Sequence, residues 1–454
     1  MTALLDTLRA DLPEDAVTVD PALMDNYRYD WARDPAAGVP LAVVRPRTTA
    51  EVQATMRWAA ANRIPVVPRG AGSGLSGGSS AVAGGIVLSM DRMRSVVIDP
   101  ASRVAIVEPG ALNVEVKAAA RAHGLWYPPD PSSFEICSIG GNIATNAGGL
   151  CCVKYGVTTD YVLGMDVVLA DGAVVRLGGA RLKDVAGLSL LKLFVGSEGT
   201  LGVVTRAVLR LVPAQKPPST LVATFGTVAA AAEAVVAITG QLRPAMLELM
   251  DGASINAVED HISMGLDRSA GALLLAQSDV GGAAAVNEIA VIANACKASG
   301  AREVFSTDDP AEGEAFAVAR RAAFPAIESR GSLMLEDVGV SIPLLPALLA
   351  GIEDIAARND IEIPTVAHAG DGNTHPIVVY NAADPESVAR ARLAFDEIMA
   401  LAIALDGTIT GEHGVGRLKK DHLPAQLGPE AMALSHRIKD ALDPLGILNP
   451  GAVL

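Results

Sequence analysis

Cysteine is scarce, with four residues in a chain of 454. Cys137, Cys151, Cys152 and Cys296 form no Cys-x-x-Cys pair, and their spacing suits neither a zinc nor an iron–sulfur site. The sequence therefore excludes a disulfide framework and an iron–sulfur cluster, and we expect these thiols to be reduced and mostly buried.

Basic residues are in deficit, because 36 Lys and Arg stand against 51 Asp and Glu, a formal net charge of -15. Such a charge repels phosphate backbones and anionic lipids, so we expect no nucleic-acid partner. Long apolar runs are also missing: SIPLLPALLAGI is interrupted by prolines and is shorter than the roughly 20 residues of a membrane helix. The N-terminal MTALLDTLRADLPEDAV carries acids and has the pattern of a short amphipathic helix, not of a signal peptide. We predict a cytoplasmic protein without a membrane span.

The residues that are present indicate large cores, since 50% of them are hydrophobic and the length calls for two or three lobes. A Thr48-x-x-Glu51 capping box opens a helix between two apolar runs, and short Val/Ile-rich runs then follow with few helices between them. Alternating strands and alanine-rich helices fill about 220–400. We predict an α+β fold with domains at 1–214, 215–405 and 406–454, the last one helical.

Glycine is concentrated in three loops. VVPRGAGSGLSGG follows a predicted strand, and its backbone N–H groups can form a concave anion site for a pyrophosphate. It lacks the GxGxxG-helix pattern and the Lys-Ser/Thr end of a P-loop. PPDPSS (128–133) with SIGGNIATNAGG (138–149) and GSEGTLG (196–202) add two further loops. Each alone is compatible with an ordinary turn, but together they predict a dinucleotide cofactor.

Two histidines, His368 and His375, bracket the turn-forming sequence AGDGNT. A hairpin with residues 370–373 as its loop would place the two imidazoles directly opposite each other, about 4.5–5.5 Å apart at Cβ, where both could bind one divalent metal. A cross-strand histidine pair without a metal is the alternative. Glu412 and His413 follow in a glycine-flanked strand or turn, and a His/His/Glu set suits zinc or manganese better than calcium.

An arginine pair, Arg320 and Arg321, lies in a helix-like stretch and could bind a carboxylate in a bidentate manner. The alternative is that both are solvated charges on a helix face. Asp371 and Asn373 are interpreted as turn residues, with orientation of a neighbouring histidine as the alternative role.

The ordered motifs resemble a known family. PRGAGSGLSGG, PPDPSS, IGGNIATNAGG and EGTLG are similar to the FAD-binding domain of the vanillyl-alcohol oxidase superfamily, the PCMH-type flavoproteins. HAGDGNTH and GEHGVG resemble its branch of D-lactate dehydrogenases, glycolate oxidase FAD subunits and D-2-hydroxyglutarate dehydrogenases. The resemblance runs from about 40 to 451. It implies a two-subdomain PCMH-type FAD-binding domain, an α+β substrate (cap) domain, and a C-terminal segment that carries the catalytic Glu-His pair and packs near the flavin.

The resemblance also implies a set of FAD-binding positions in the three loops, on the strand after them and near the C-terminus. These positions are Pro68, Arg69, Gly70, Ala71, Gly72, Ser73, Gly74, Leu75, Ser76, Gly77, Pro129, Asp130, Ser133, Ser138, Gly140, Gly141, Asn142, Ala144, Thr145, Asn146, Gly149, Glu198, Gly199, Val204 and Asn449. Relatives with covalent flavin carry a histidine in the first loop; this loop has none, so non-covalent FAD is expected.

For the reaction, the resemblance assigns His368, His375 and Glu412 to a metal, His413 to the catalytic base and Arg320 to the substrate carboxylate, with His413 also touching substrate. The expected activity is oxidation of a small D-2-hydroxy acid, such as D-lactate or glycolate, to the 2-keto acid, by metal-assisted proton abstraction and hydride transfer to flavin N5. Relatives that oxidise D-2-hydroxyglutarate have a lysine near EDVGVSIP and an asparagine where this chain has Ile377. D-2-hydroxyglutarate therefore becomes the alternative substrate.

Electrons must leave the flavin for an external acceptor, because the sequence has no iron–sulfur cysteines and no haem motif. A quinone, an electron-transfer flavoprotein, a cytochrome or a partner subunit all stay open, as does a homodimer. Three other functions also stay open: a flavin oxidase that uses dioxygen, a metal-dependent hydrolase without flavin, and an FAD subunit of a multi-subunit glycolate oxidase that is inactive alone.

Overall fold

The apolar and β-branched runs form strands, the alanine-rich stretches form helices, and the computed structural model describes residues 2–454. Helix accounts for 39% and strand for 21% of the residues, which confirms the predicted α+β class. The helices, numbered along the whole chain, are α1 (Thr2–Ala10), α2 (Pro21–Asp25), α3 (Thr49–Asn62), α4 (Asn113–Arg121), α5 (Ile139–Thr145), α6 (Cys152–Tyr155), α7 (Leu190–Phe194), α8 (Val228–Thr239), α9 (Gly252–Ile262), α10 (Gly282–Ala298), α11 (Pro310–Arg321), α12 (Ala323–Glu328), α13 (Leu345–Arg358), α14 (Pro385–Ala404) and α15 (Leu423–Leu442). The strands are β1 (Val17–Thr18), β2 (Ala42–Val44), β3 (Val66–Arg69), β4 (Ile86–Ser89), β5 (Val96–Asp99), β6 (Val104–Val107), β7 (Leu125–Trp126), β8 (Val162–Val168), β9 (Val174–Gly178), β10 (Val203–Arg210), β11 (Val212–Pro213), β12 (Ser219–Phe225), β13 (Met246–Asp251), β14 (Ala272–Ser278), β15 (Glu303–Thr307), β16 (Ser332–Leu335), β17 (Val338–Gly339), β18 (Thr365–His368) and β19 (Asn373–Tyr380).

The chain divides into two compact units. Unit 1 contains the chain up to Gly148, Val157–Ala214 and Glu412–Leu454, and unit 2 contains Gly149–Gly156 and Gln215–Gly411. Of the predicted C-terminal segment 406–454, residues 406–411 therefore belong to unit 2 and the rest to unit 1.

The first sheet of unit 1 has the strand order β1-β2-β4-β3, in which β2, β4 and β3 are parallel. Helix α3 connects β2 to β3 and starts where the capping box predicts: the Thr48 side chain accepts a hydrogen bond from the Glu51 N–H at 3.2 Å. Such a cap is worth about 1 kcal/mol. This sheet and α3 enclose an apolar core that includes Val52, Met56 and Leu88.

The second sheet of unit 1 is antiparallel throughout, in the order β5-β6-β10-β8-β9. It is built from the short Val/Ile-rich runs in which the sequence predicted strands with few helices between them. Two sheets of different topology in one unit agree with the predicted two-subdomain architecture, and a two-stranded β11-β7 ladder adds to them.

Unit 2 contains an eight-stranded antiparallel sheet, with the path β15-β12-β14-β13-β18-β19-β16 and with β17 paired to β19. Residues Leu273, Leu275 and Val366 of its central strands belong to an apolar core that also includes Ala323 and Ile327 of α12. The strands β13, β18 and β19 lie side by side, so polar residues on them come close together.

The C-terminal helix α15 is interrupted at Gly428, whose φ is 77°. Its second half begins at Pro429, as the sequence segment PEAMALSHRIKDAL predicted.

None of the helices described within residues 2–454 is long and apolar enough to cross a membrane. Cys137 and Cys296 are buried but Cys151 and Cys152 are partly exposed, so the prediction of mostly buried cysteines is right for two of the four.

Candidate active site

The first glycine loop leaves the end of β3 and continues without a helix, as its sequence predicted. Gly70 lies against the start of the second loop: a Cβ at this position would lie 2.3 Å from Ser138 Oγ. Ser138 Oγ in turn accepts a hydrogen bond from the Ala71 N–H at 3.1 Å. The two predicted FAD-binding segments therefore meet in unit 1, and the missing side chain at residue 70 is what permits the contact.

Most backbone N–H groups of this loop donate no hydrogen bond within the described chain. From Gly72 to Gly78, the N–H groups donate no hydrogen bond to any residue within 2–454. Gly72 has a φ of 76°, and the guanidinium of Arg69 occupies the place where its Cβ would be. Burial lowers the pKa of that guanidinium, with Asp30 opposing the effect. A run of unbonded N–H groups beside a buried arginine is suited to an anion.

The second segment forms the short helix α5, which Ser138 caps by accepting from the Gly141 N–H. Two of its predicted ligands have structural contacts. Asn142 Oδ1 accepts from the Asn113 side chain at 3.1 Å, and Asn146, in the left-handed region at φ 55°, accepts from the Thr159 N–H at 2.8 Å. These amides hold α5 in place.

The remaining predicted FAD positions also belong to unit 1, with one exception. The Pro129 carbonyl accepts from Asn113, and a Cβ on Gly199 would lie 3.1 Å from the Pro68 ring. Val204 lies on β10 and is partly exposed. Gly149 belongs to unit 2.

Glu198 connects the third glycine loop to the C-terminal segment. Its two carboxyl oxygens accept hydrogen bonds from the N–H groups of Val415 and Gly416, at 2.7 and 2.9 Å. Burial raises the pKa of Glu198 to about 7, although these two donors act in the opposite direction. Asn449 donates to the carbonyls of Glu198 and Gly78, at 2.7 and 2.8 Å. The segment GVG, which follows Glu412 and His413, is therefore bound to the glycine loops.

The predicted base His413 is bound to the same region. Its carbonyl accepts a hydrogen bond from Ser76 Oγ at 3.2 Å, and its Nε2 atom lies 3.7 Å from Glu412 Oε1. Both residues lie in a bend outside any strand, followed by Gly414 at φ 86°. The bend that the flanking glycines suggested is present, and it attaches His413 to the first glycine loop within unit 1.

The two metal-ligand candidates of unit 2 lie on the hairpin β18-β19, but the predicted register is wrong. His368 pairs with Asn373, and His375 pairs with Val366, because the connecting loop is 369–372 and not 370–373. The imidazoles are thus diagonal neighbours on one face of the sheet, with ring centroids 5.0 Å apart. Asn373 opens β19 and is not a turn residue, whereas Asp371 lies in the turn and accepts from the Asn373 N–H.

A buried acid that the sequence did not single out organises this face. Glu248 of β13 is 1% exposed, and its oxygens lie 2.8 and 2.9 Å from His368 Nδ1. One of them also forms an ion pair with Arg320 Nε, at 2.9 Å. Arg320 is the buried member of the arginine pair, whereas Arg321 pairs with Glu314 at the helix surface. Arg320 Nη2 is buried without a hydrogen bond to any residue in 2–454.

Two further acids, Glu336 and Asp337, are fully buried on the same unit. Asp337 Oδ1 lies 3.6 Å from His375 Nδ1, and its Oδ2 accepts from Thr410 at 2.7 Å. Gly411, the last residue of unit 2, donates its N–H to the Asp337 carbonyl at 3.2 Å. The acidic pair in EDVGVSIP was the available signal, since adjacent acids in an apolar run are costly unless they bind a cation or a donor.

Comparison with known proteins matches both parts of the chain to known families. The chain matches the family model of FAD linked oxidases, C-terminal domain, over residues 215–453, and a model of the FAD binding domain over residues 40–178. It is 42% identical over 428 residues to the glycolate oxidase subunit GlcD of Bacillus subtilis, covering 94% of this chain and 91% of that protein. It is 34% identical to a D-lactate dehydrogenase of Archaeoglobus fulgidus, covering 95% of this chain and 96% of that protein.

Among solved structures, p-cresol methylhydroxylase superimposes with a TM-score of 0.83 at 19% identity, covering all of this chain and 96% of that one. At this identity the likeness concerns the fold, and it confirms the PCMH-type architecture. The fold and the matches define a flavin-dependent oxidoreductase. The chain belongs to the FAD-linked oxidases.

Proposed function

We propose that this protein is an FAD-dependent dehydrogenase that oxidises a small D-2-hydroxy acid, of the glycolate or D-lactate type, to the 2-keto acid. The observation that carries the proposal is the buried group in unit 2, where Arg320 has an unbonded Nη2 and His368 lies 5.0 Å from His375 between ring centroids. Glu248 already pairs with the guanidinium through Nε, but the buried Nη2 donor still needs an acceptor, which a substrate carboxylate can supply. The paired imidazoles of His368 and His375 supply nitrogen ligands.

The residues of unit 1 fit FAD. The N–H groups from Gly72 to Gly78, which bond to no residue in 2–454, can hold the pyrophosphate, together with the segment that begins at Ser138. When bound, FAD accepts a hydride and so takes two electrons from the substrate. The first loop contains no histidine, which favours non-covalent binding.

His368 and His375 of unit 2 fit ligands of a divalent metal, zinc more than manganese. His368 Nδ1 faces Glu248, so Nε2 is the proposed ligand atom, as is usual for a histidine bound to zinc. His375 and Glu412 complete the proposed set, and the backbone of Gly411, directly before Glu412, is held by Asp337. A bound metal would act as a Lewis acid toward the substrate hydroxyl.

The side chains then have separate tasks. Arg320 holds the substrate carboxylate and so fixes Cα. His413 accepts the hydroxyl proton, and its link to Ser76 keeps it beside the FAD loops of unit 1. A general base of this kind contributes about 10²–10⁴-fold to the rate.

A second candidate rests on one comparison. The relative at 42% identity carries the name of a glycolate oxidase subunit, so this chain could require partner subunits for turnover. The electron acceptor is then a partner subunit rather than a quinone, a cytochrome or an electron-transfer flavoprotein. D-2-hydroxyglutarate is the alternative substrate, and Ile377 in place of a polar residue disfavours it. The cytoplasmic location stays a prediction from sequence.

The test begins with the visible spectrum of the purified protein and anaerobic mixing with D-lactate, L-lactate, glycolate and D-2-hydroxyglutarate in turn. Bleaching of the flavin band by glycolate or D-lactate supports the proposal. A colourless protein contradicts it, and so does a yellow protein that glycolate and D-lactate leave unbleached with partner subunits added.

Two variants test the assignments. His413→Ala should keep FAD bound and slow flavin reduction by about 10²–10⁴-fold, whereas the exposed His436→Ala should behave as wild type. Glu412→Ala should lower the zinc content measured by mass spectrometry, with exposed Glu430→Ala as its control. Normal flavin reduction in His413→Ala excludes this residue as the base.

A further inference from the structure

Glu248 contacts both of the side chains to which the proposed function gives separate tasks. Its carboxyl group is 2.8 and 2.9 Å from His368 Nδ1 and 2.9 Å from Arg320 Nε. All three side chains are at least nine-tenths buried. One carboxylate therefore lies between the proposed metal ligand and the proposed carboxylate-binding arginine.

The strand register creates this contact. Leu249 of β13 pairs with Ala367 of β18, so the next position along each strand brings Glu248 opposite His368. Arg320 comes from the last turn of α11 and is the buried member of its pair. Because β13 is a central strand of the eight-stranded sheet, Glu248 has little freedom to move.

The chemistry of the three groups is directional. A carboxylate only accepts hydrogen bonds, so the nitrogen that faces it must carry the imidazole proton. His368 is thereby held in the tautomer whose Nε2 lone pair points away from Glu248, as a metal ligand requires. The same carboxylate balances the charge of Arg320 through Nε and leaves Nη2 available for an anion.

We propose that Glu248 is a positioning residue that couples metal binding to recognition of the substrate carboxylate. This inference rests on the proposed function. It makes Glu248 responsible for two properties at once: the zinc affinity through His368, and the binding of a 2-hydroxy acid through Arg320. A residue that merely stabilised the sheet would affect neither.

The experiment uses the full-length, FAD-loaded protein and the variants Glu248→Gln and Glu248→Asp. Zinc affinity is measured by competition with a chromophoric chelator, and KM and the maximal rate of flavin reduction are measured with the acid that bleaches the wild type. Gln can still accept from His368 but then presents an NH₂ group to Arg320. We expect zinc affinity to fall by about 10–100-fold and KM to rise by about tenfold or more, with the FAD content unchanged.

Asp251→Asn is the matched control. Asp251 ends the same strand, where its carboxyl group accepts from the N–H groups of Ser254 and Thr365. Loss of one of these two contacts should lower the thermal midpoint, since typical hydrogen bonds contribute about 1 kcal/mol to folding. Zinc affinity and KM should stay within about twofold of wild type. Glu248→Asp keeps the negative charge on a side chain that is shorter by one methylene group. It should therefore fold even if Glu248→Gln does not, and its zinc affinity should lie between those of wild type and Glu248→Gln.

Wild-type zinc affinity and KM in both Glu248 variants overturn the inference, and so does a change in only one of the two quantities, because a shared carboxylate must affect both. A wild-type protein that binds no zinc and is reduced by no 2-hydroxy acid refutes the proposed function instead. The two failures are distinguishable.

Discussion

Glu198 should make the stability of this protein depend on pH. Burial raises the pKa of its carboxyl group from 4.5 to about 7, against the opposing effect of the N–H donors of Val415 and Gly416. Since the folded pKa lies above the unfolded value, the stabilising contribution is fully present below pH 4.5 and is lost as the pH rises through about 7. At higher pH the folded protein must hold a buried carboxylate.

The magnitude follows from the same two values. The difference between 4.5 and about 7 corresponds to about 3 kcal/mol in the free energy of unfolding. About 2 kcal/mol of this falls between pH 5.5 and pH 8. That is a large part of the roughly 5–15 kcal/mol by which proteins are usually stable.

Glu198→Gln isolates this contribution, because the amide is neutral at every pH. Urea unfolding of the FAD-loaded protein, followed by circular dichroism, gives the free energy of unfolding at pH 5.5 and pH 8. Wild type should lose about 2 kcal/mol relative to the variant between these values. The Gln amide has one acceptor oxygen, so the variant loses one N–H contact at both pH values. The informative quantity is therefore how the difference in unfolding free energy between wild type and variant changes from pH 5.5 to pH 8.

The exposed Glu430→Gln should show no such change. A constant difference between wild type and Glu198→Gln would refute the reasoning. It would mean that the two backbone donors outweigh burial, so that Glu198 is ionised throughout this range.

Two further predictions concern one contact in each unit. Gly70→Ala places a methyl group 2.3 Å from Ser138 Oγ and should weaken FAD binding by about 1–3 kcal/mol in a fluorescence titration. The control Gly240→Ala, whose added methyl group has no atom closer than 3.4 Å, should leave FAD affinity unchanged. Equal FAD affinities of Gly70→Ala and wild type would mean that the two loops can separate without loss of binding. Asp279→Asn removes the charge that accepts from Lys154, Tyr155 and Gln215, and should lower the free energy of unfolding by about 2 kcal/mol in urea; a loss under about 0.5 kcal/mol would show that an amide replaces the carboxylate there.

The local chemistry of the sequence predicted much of unit 1. Thr48 caps α3 at the predicted residue, whereas the Glu51 carboxylate accepts from the Arg47 N–H, one residue before the position that a capping box requires. The glycines mark the loops correctly. At Gly70, however, the structure shows a reason for glycine that the sequence did not give: the missing Cβ leaves room for the Ser138 side chain. The sequence showed that a close approach occurs here, and it could not show which atom approaches.

The hairpin register shows why local signals were insufficient in unit 2. Asp-Gly and Gly-Asn are both turn formers, so the sequence 369–373 allows more than one loop. Gly372, at φ 82°, has the Val340 carbonyl 2.1 Å from its Cβ position. Packing against the segment that follows β17 therefore selects the loop, and it shifts His375 from a direct to a diagonal neighbour of His368.

Glu248 was missed for a different reason. The run MLELMD predicts a strand only weakly, and a single acid in a strand is usually assigned to the solvent face. Its burial depends on Arg320 and His368, which are 72 and 120 residues away along the chain. A buried charge whose partners are this remote has no local signature, although a lone acid between apolar neighbours is a reason to look for such partners.

The placement of the proposed catalytic pair follows from the path of the chain. The chain passes from unit 2 to unit 1 between Gly411 and Glu412. The backbone before this point is held in unit 2 by the Asp337 carbonyl, and the backbone after it is held in unit 1 by Ser76 and Glu198. The segments on both sides of Glu412 and His413 are thus held through hydrogen bonds to their backbone. The attachment to Asp337 uses a backbone carbonyl, but those to Ser76 and Glu198 use side chains, so substitutions of Ser76 or Glu198 should shift the proposed base His413.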